Sequence, residues 1–107
     1  MINIEDFLKV QIKIGKIISA EDIEGSEKLL KLSVDFGEEN PKQILSGVAK
    51  VVSDPCEMVG KQAPFITNLE PRIMMGLESN GMMLCVDDGS PVFLHPTHEV
   101  TLGSVVK

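Results

Sequence analysis

With 107 residues, the chain is the length of one domain, and it carries 10 basic and 16 acidic side chains for a net charge of −6. This charge disfavours non-specific binding to nucleic acid, which depends on basic surface, but it does not exclude specific binding where basic residues are grouped. No apolar run approaches the roughly 20 residues of a membrane span, and the N-terminus has no signal-peptide pattern. Two cysteines are too few for a disulfide framework. We therefore expect a cytoplasmic protein with no membrane segment.

Strand patterning dominates the chain. Asn3 followed by two acidic residues predicts the start of a short helix. From Val10 onward, apolar residues alternate with polar ones, which is typical of half-buried strands. Within the first strand, Gly15 predicts a bulge or sharp bend. The pattern predicts five strands, at residues 10–23, 30–36, 43–47, 61–69 and 80–87.

The order of these elements predicts a fold. Residues 48–60 have an irregular helical pattern interrupted by Pro55, so three strands precede a helical connection and two strands follow it. This is the order of the five-stranded Greek-key barrel called the OB-fold, an all-β class with a minor helix. Its ligand-binding loops would be residues 25–28 and 70–79. Residues 90–107 exceed what five strands require, so we expect a single domain, 1–107, whose C-terminal extension forms a dimer.

The stretch from residue 66 to 83 is an unusually long loop for a small domain, and it contains the only arginine, Arg72. Long loops that keep a fixed structure are usually functional. The alternative is that its apolar residues form a small hydrophobic cluster that only holds the loop in place. Composition alone leaves both interpretations open.

The sequence offers little catalytic chemistry. His95 and His98 could form a metal pair, but no matching cluster of cysteine or histidine accompanies them, so surface histidines are favoured. No phosphate-binding glycine loop and no nucleophile–base set is present. We expect neither an enzyme nor a cofactor.

Residues suited to binding RNA converge on the two predicted loops. Lys28 ends the first loop and Arg72 lies in the second, where both could contact phosphate. Asn68 and Ser79 could read base edges, and Met82 offers an adaptable apolar surface. For each polar residue alone a turn or capping role competes, and for Met82 a place in the core competes.

Several motifs in order also resemble a known family. GSEKLLKLSVDFG at 25–37, QILSGVAK at 43–50, NLEPR at 68–72 and MGLESNGMML at 75–84 are similar to the tRNA-binding domain family, over about residues 4–106. That family includes the C-terminal domain of methionyl-tRNA synthetases and free-standing bacterial tRNA-binding proteins.

The resemblance implies an OB barrel that binds the outer corner of tRNA without catalysis and without strong preference among tRNAs. It implies tRNA contact at the positions of the five candidate residues, Lys28, Asn68, Arg72, Ser79 and Met82. Glu70 departs from the lysine often found there. The bacterial forms imply a homodimer, and the synthetase forms imply a synthetase as a possible partner. Two alternatives stay open: a protein-assembly module in which tRNA binding is incidental, and a chaperone-like relative that binds polypeptide.

Overall fold

Alternation of apolar and polar side chains builds a nearly closed antiparallel barrel in the computed structural model, which describes residues 1–107. The barrel strands run in the order β3-β2-β1-β4-β7, and two small hairpins, β5-β6 and β8-β9, are attached to them. The predicted OB-fold barrel is therefore confirmed. The strands are β1 Ile12–Asp22, β2 Leu30–Asp35, β3 Lys42–Ser46, β4 Gln62–Ile66, β5 Arg72–Met74, β6 Leu77–Ser79, β7 Met82–Met83, β8 Cys85–Asp87 and β9 Pro91–Phe93.

The long strand β1 pairs with β4 through its first half and with β2 through its second half. The register shifts between Ile17 and Ser19, so the bulge lies there, and the expected bulge at Gly15 is wrong. Gly15 serves a different purpose. A Cβ at this position would lie 2.5 Å from Cγ1 of Val34 and 2.7 Å from the ring of Phe36, so only glycine lets the ring pack against this backbone.

Inward-facing side chains of the barrel strands form one core. The rings of Phe36 and Phe65 meet edge to face with centroids 5.5 Å apart, the arrangement that aromatic quadrupoles favour. Phe65 is fully buried, and Met83 on the neighbouring strand is 7% exposed. The apolar face of each strand thus points to the barrel interior, as the period of two requires.

The helices are short and peripheral. Helix α1, Ile4–Leu8, begins where Asn3 accepts a hydrogen bond from the backbone amide of Asp6 at 2.9 Å, as the sequence predicts. The irregular connection after β3 contains two 3₁₀ helices, Ala49–Val51 and Pro55–Met58. None of the helices has the length and apolar character needed to cross a membrane.

The predicted fifth strand, residues 80–87, is divided in two. Its first part is β7, paired with β4, whereas its second part is β8, which leaves the barrel and pairs with β9. The C-terminal segment then returns to β1, where the amide of Ile14 donates to the carbonyl of Ser104 at 2.9 Å. The extension is thus part of the folded domain.

Candidate nucleic-acid interface

The long loop between β4 and β7 folds into the β5-β6 hairpin. Met75 and Gly76 form its two-residue turn with φ values of 53° and 74°, the positive pair that defines a type I′ turn. Ile73 is 70% exposed and Met75 is 53% exposed. A cluster that buries its apolar residues would hide these side chains, so that interpretation does not describe the hairpin.

Three hydrogen bonds join this hairpin to β3 and complete the barrel between β3 and β7. The side chain of Gln43 donates to the carbonyl of Glu78, and the amide of Asn80 donates to the carbonyl of Gln43, each at 2.9 Å. The amide of Leu45 donates to the hydroxyl of Ser79 at 3.0 Å. The hairpin is therefore fixed beside the end of β3 and the β1-β2 loop.

Between the hairpin, β3 and β7 lies an open groove of about 280 Å³, called here the binding groove. Its lining includes Lys28 from the β1-β2 loop, Gly47 from the end of β3, Arg72 and Met74 from β5, and Met82 from β7. The groove therefore collects residues that are up to 55 positions apart in the chain, as Lys28 and Met83 are. Three of the five predicted contact residues are among them.

The cations of the groove are available to a ligand. Lys28 and Arg72 are exposed, and neither takes part in any of the three ion pairs, which involve Lys9, Lys31 and Lys42. The Lys28 side chain passes beside Gly47, where a Cβ would lie 3.4 Å from Cε of Lys28, an ordinary contact distance. Two basic groups above a partly apolar floor suit a nucleotide, with phosphate at the cations and base or ribose on the floor.

Met82 and Met83 are neighbours with opposite environments. Both residues line the groove, but Met82 is paired with Ile66 and is 38% exposed, whereas Met83 is paired with Phe65, is 7% exposed and belongs to the core. Successive side chains of a strand point to opposite faces, which explains the difference. The interpretation of Met82 as a core residue is therefore wrong, and its neighbour occupies that place.

Ser79 does not face the groove. It is 2% exposed, and its hydroxyl accepts from the amide of Leu45 and donates to the carbonyl of Gly81 at 3.1 Å. Its hydrogen-bonding groups are occupied inside the protein, so direct contact with RNA does not fit this structure. Ser79 instead positions the hairpin, in which it is paired directly opposite Arg72.

The exposed side chain of Asn68 makes two hydrogen bonds within the protein. Its side-chain oxygen accepts from the amide of Gln11 at 2.8 Å, and its side-chain nitrogen donates to the carbonyl of Lys9 at 2.7 Å. Both ends of the amide thus hold the segment between α1 and β1 against the end of β4. Asn68 is exposed and does not line the groove, so its contact with RNA stays a prediction beside this structural role.

A second hollow of about 440 Å³ continues the groove past Met82 toward the β8-β9 turn. It contains Cys85, Asp87 and Gly89, which sequence reasoning did not place near the site. Burial raises the pKa of the Cys85 thiol, so this sulfur is less reactive than an exposed one. The sequence shows residues 82–86 only as a continuous apolar run, which does not indicate that this strand has a ligand-facing side.

The two histidines lie apart from the groove. Nδ1 of His95 is 2.7 Å from the carbonyl of Gln62, and because a carbonyl only accepts, Nδ1 carries the proton. The side chain of Gln62 in turn bonds both backbone groups of Val100. The structure contains no group of three or more His, Cys, Asp or Glu side chains that could hold a metal.

Comparison with known proteins decides the family. The family described as "Putative tRNA binding domain" matches residues 12–105. The chain belongs to this family. Two methionine–tRNA ligases contain a similar segment. Methionine–tRNA ligases of Methanocella arvoryzae and Methanosarcina mazei are 50% and 42% identical over 93 and 109 residues, or 87% and 100% of this chain. The chain spans only 14% and 15% of the length of these two ligases.

Two solved structures cover the whole chain. A methionyl-tRNA synthetase-related protein from Pyrococcus horikoshii is 35% identical with a TM-score of 0.91, and 98% of that chain is covered. The chaperone CsaA from Bacillus anthracis is 29% identical with a TM-score of 0.88, and 99% of that chain is covered. This tRNA-binding domain therefore shares its fold with a part of large synthetases and with small proteins of its own size.

Proposed function

We propose that this chain is a non-catalytic tRNA-binding module whose site is the binding groove. The observation that supports it best is the convergence of Lys28, Arg72 and Met82 on one groove in a member of the tRNA-binding domain family. Lys28 and Arg72 would neutralise backbone phosphates, and Met82 would contact an exposed base or ribose. Because tRNA is the proposed ligand, the proposed site of action is the cytoplasm.

The proposed target within tRNA is the outer corner of the L shape, as the family resemblance implies. The corner offers looped nucleotides, and proteins recognise unstacked bases far more readily than bases inside an RNA helix. A groove with an apolar floor can receive such a base, whereas a duplex would present mainly phosphates and ribose. The proposal therefore predicts that intact tRNA competes for the binding groove better than duplex RNA of similar length does.

Variants in the groove test the site. Lys28→Ala, Arg72→Ala and Met82→Ala should each weaken tRNA binding in a filter assay. Lys61→Ala is a charge-matched control, because Lys61 is exposed and immediately precedes β4, five residues and about 16 Å along the chain from Ile66 at the other end of that strand. Normal tRNA affinity in all three folded groove variants, or an equal loss in the control, would refute the site.

We also propose that the protein is a homodimer. Helix α1 buries none of its residues, and Ile4 and Leu8 are 67% and 65% exposed. On the C-terminal extension, Val105 is 60% exposed. Apolar surface of this kind commonly marks an interface. Light scattering at micromolar concentration should give the dimer mass, and Leu8→Glu with Val105→Asp should give monomer. A monomer mass for the unchanged chain would refute the dimer.

Polypeptide binding is the second candidate function. The exposed apolar side chains of Ile73 and Met75 at the hairpin tip favour it, and the similarity to a chaperone supports it. A titration with labelled tRNA and unfolded polypeptide as competitor separates the two candidates. Displacement of tRNA by the polypeptide but not by single-stranded RNA would favour the chaperone-like function.

The chain could act alone or as a part of a synthetase. Its similarity to the small Pyrococcus horikoshii protein supports the first arrangement, and its similarity to the ligases supports the second. The dimer and the binding groove would be used in both arrangements. We therefore propose the same tRNA-binding role for the chain alone and for the chain as a part of a synthetase. Co-purification with a methionyl-tRNA synthetase from the native cell would identify the second arrangement.

A further inference from the structure

Methionine is concentrated at the binding groove. Of six methionines in the chain, four lie between residues 74 and 83. Their accessibility differs sharply, because Met75 and Met82 are 53% and 38% exposed whereas Met83 is 7% exposed. Exposed thioethers are the ones that react with oxidants, and buried ones are protected.

We propose that Met82 is a site of reversible oxidation that switches off RNA binding at this groove. The inference rests on the proposed function of the groove. The oxidant is a peroxide: a lone pair of the Met82 sulfur attacks one peroxide oxygen, the O–O bond breaks, and an S–O bond forms. The departing oxygen takes up a proton from the peroxide and leaves as water, so sulfur loses two electrons and the peroxide gains them.

The position of Met82 makes the product incompatible with the proposed ligand. Oxidation turns an apolar thioether into a polar, chiral sulfoxide. This places a negatively polarised oxygen where base or ribose would rest, in the groove that Lys28 and Arg72 also line. The sulfoxide oxygen can also accept hydrogen bonds from these cations, which are then less available to phosphate. Both effects weaken RNA binding.

The fold should survive this change. The side chain of Met82 points away from the core, and the buried sulfur of the next residue, Met83, lies on the other face of the strand. Oxidation at Met82 therefore adds an oxygen at the surface and leaves the packing around Phe65 intact. A switch needs this separation, because oxidation in the core would unfold the protein irreversibly.

One experiment on the unchanged chain tests the inference. The protein is oxidised with hydrogen peroxide until about half of Met82 is sulfoxide, and it is then divided by immobilised tRNA into bound and unbound fractions. Peptide mass spectrometry measures sulfoxide at each methionine. Met82 sulfoxide should be depleted in the bound fraction, whereas sulfoxide at fully exposed Met1 should be equal in both. Equal Met82 sulfoxide in the two fractions would overturn the inference.

A second measurement compares affinities. Complete oxidation of Met82 should reduce tRNA affinity about tenfold, which corresponds to about 1.4 kcal/mol, and methionine sulfoxide reductase should restore it. Met82→Leu, compared with its own untreated sample, should lose no affinity on oxidation, whereas Met75→Leu should lose as much as the unchanged chain. Circular dichroism must show unchanged melting, since a loss of binding through unfolding would refute the switch.

The two proposals fail in different ways. If the untreated protein does not bind tRNA, the proposed function fails, and the inference fails with it. If untreated protein binds and fully oxidised protein binds equally well, only the inference fails.

Discussion

Met82 and Met83 offer a matched pair in which the same substitution should have opposite effects. Met83 is 7% exposed and packs in the core, so Met83→Ala should cost about 2–5 kcal/mol of unfolding free energy. Met82 is 38% exposed, so its truncation leaves no cavity in the core. Met82→Ala should therefore lower the unfolding free energy by about 1 kcal/mol or less. For a domain of this size, 1 kcal/mol shifts the melting temperature by about 4–8 °C.

Thermal melting followed by circular dichroism, with tRNA filter binding below the melting point of each variant, measures both effects. Met83→Ala should lower the melting temperature by at least about 8 °C and retain most tRNA affinity while folded. Met82→Ala should melt near the unchanged chain and bind tRNA more weakly. Strong destabilisation by Met82→Ala, or an unchanged affinity, would refute the assignment of this side chain to the ligand-facing surface.

Four further outcomes are expected. With two free cations per site, log affinity should fall with log salt at a slope of about 1.4–1.8, and Arg72→Ala should reduce that slope by about one unit in a salt titration. Ser79→Ala should lower stability in urea by about 1–3 kcal/mol, because a buried backbone amide of β3 loses its acceptor. Met75→Asn should raise stability by up to about 1 kcal/mol, since asparagine tolerates the positive φ of the turn better. At pH 8, iodoacetamide should alkylate Cys56 faster than Cys85, because burial raises the pKa of Cys85 and lowers its thiolate fraction; mass spectrometry gives both rates.

The barrel could be predicted because its strands carry a strong period of two. Expected and observed bounds of β2 and β3 agree within one residue at each end. The bulge near Ile18 was not predictable in this way, because it depends on how β1 changes partners from β4 to β2. The bulge predicted at Gly15 was wrong for a related reason. The sequence shows that Gly15 has no side chain, but it does not show that the Phe36 ring packs where a Cβ would lie.

The division of the fifth strand shows a second limit. Residues 82–86 form a continuous apolar run, so nothing local indicates that β7 ends at Met83. The chain leaves the barrel there because β8 pairs with β9 instead, and Val86 lies opposite Val92. Pairing between distant segments, rather than local pattern, decided where this strand ends.

The site residues divide in the same way. The convergence of Lys28, Arg72 and Met82 on one groove could be predicted, because the order of elements places them on two loops and a strand that meet. Ser79 and Asn68 were also expected to contact RNA. In the structure the Ser79 hydroxyl accepts a hydrogen bond from the amide of Leu45, 34 residues away, and the two partners of the Asn68 side chain are 57 and 59 residues away. A polar side chain looks free in the sequence whenever its partner is remote, so a structural role and a binding role could not be distinguished.

An acidic chain can still bind an acidic ligand if its cations are locally unpaired. Lys31 lies 3.2 Å from Glu21 and Lys42 lies 3.9 Å from Glu38, so a phosphate approaching either lysine would also meet a carboxylate. Lys28 and Arg72 carry no such partner. Their field is local, because exposed charges more than about 8–10 Å apart are largely screened at physiological salt. The excess of carboxylates elsewhere therefore limits long-range attraction, and affinity at the groove depends on contacts made within it.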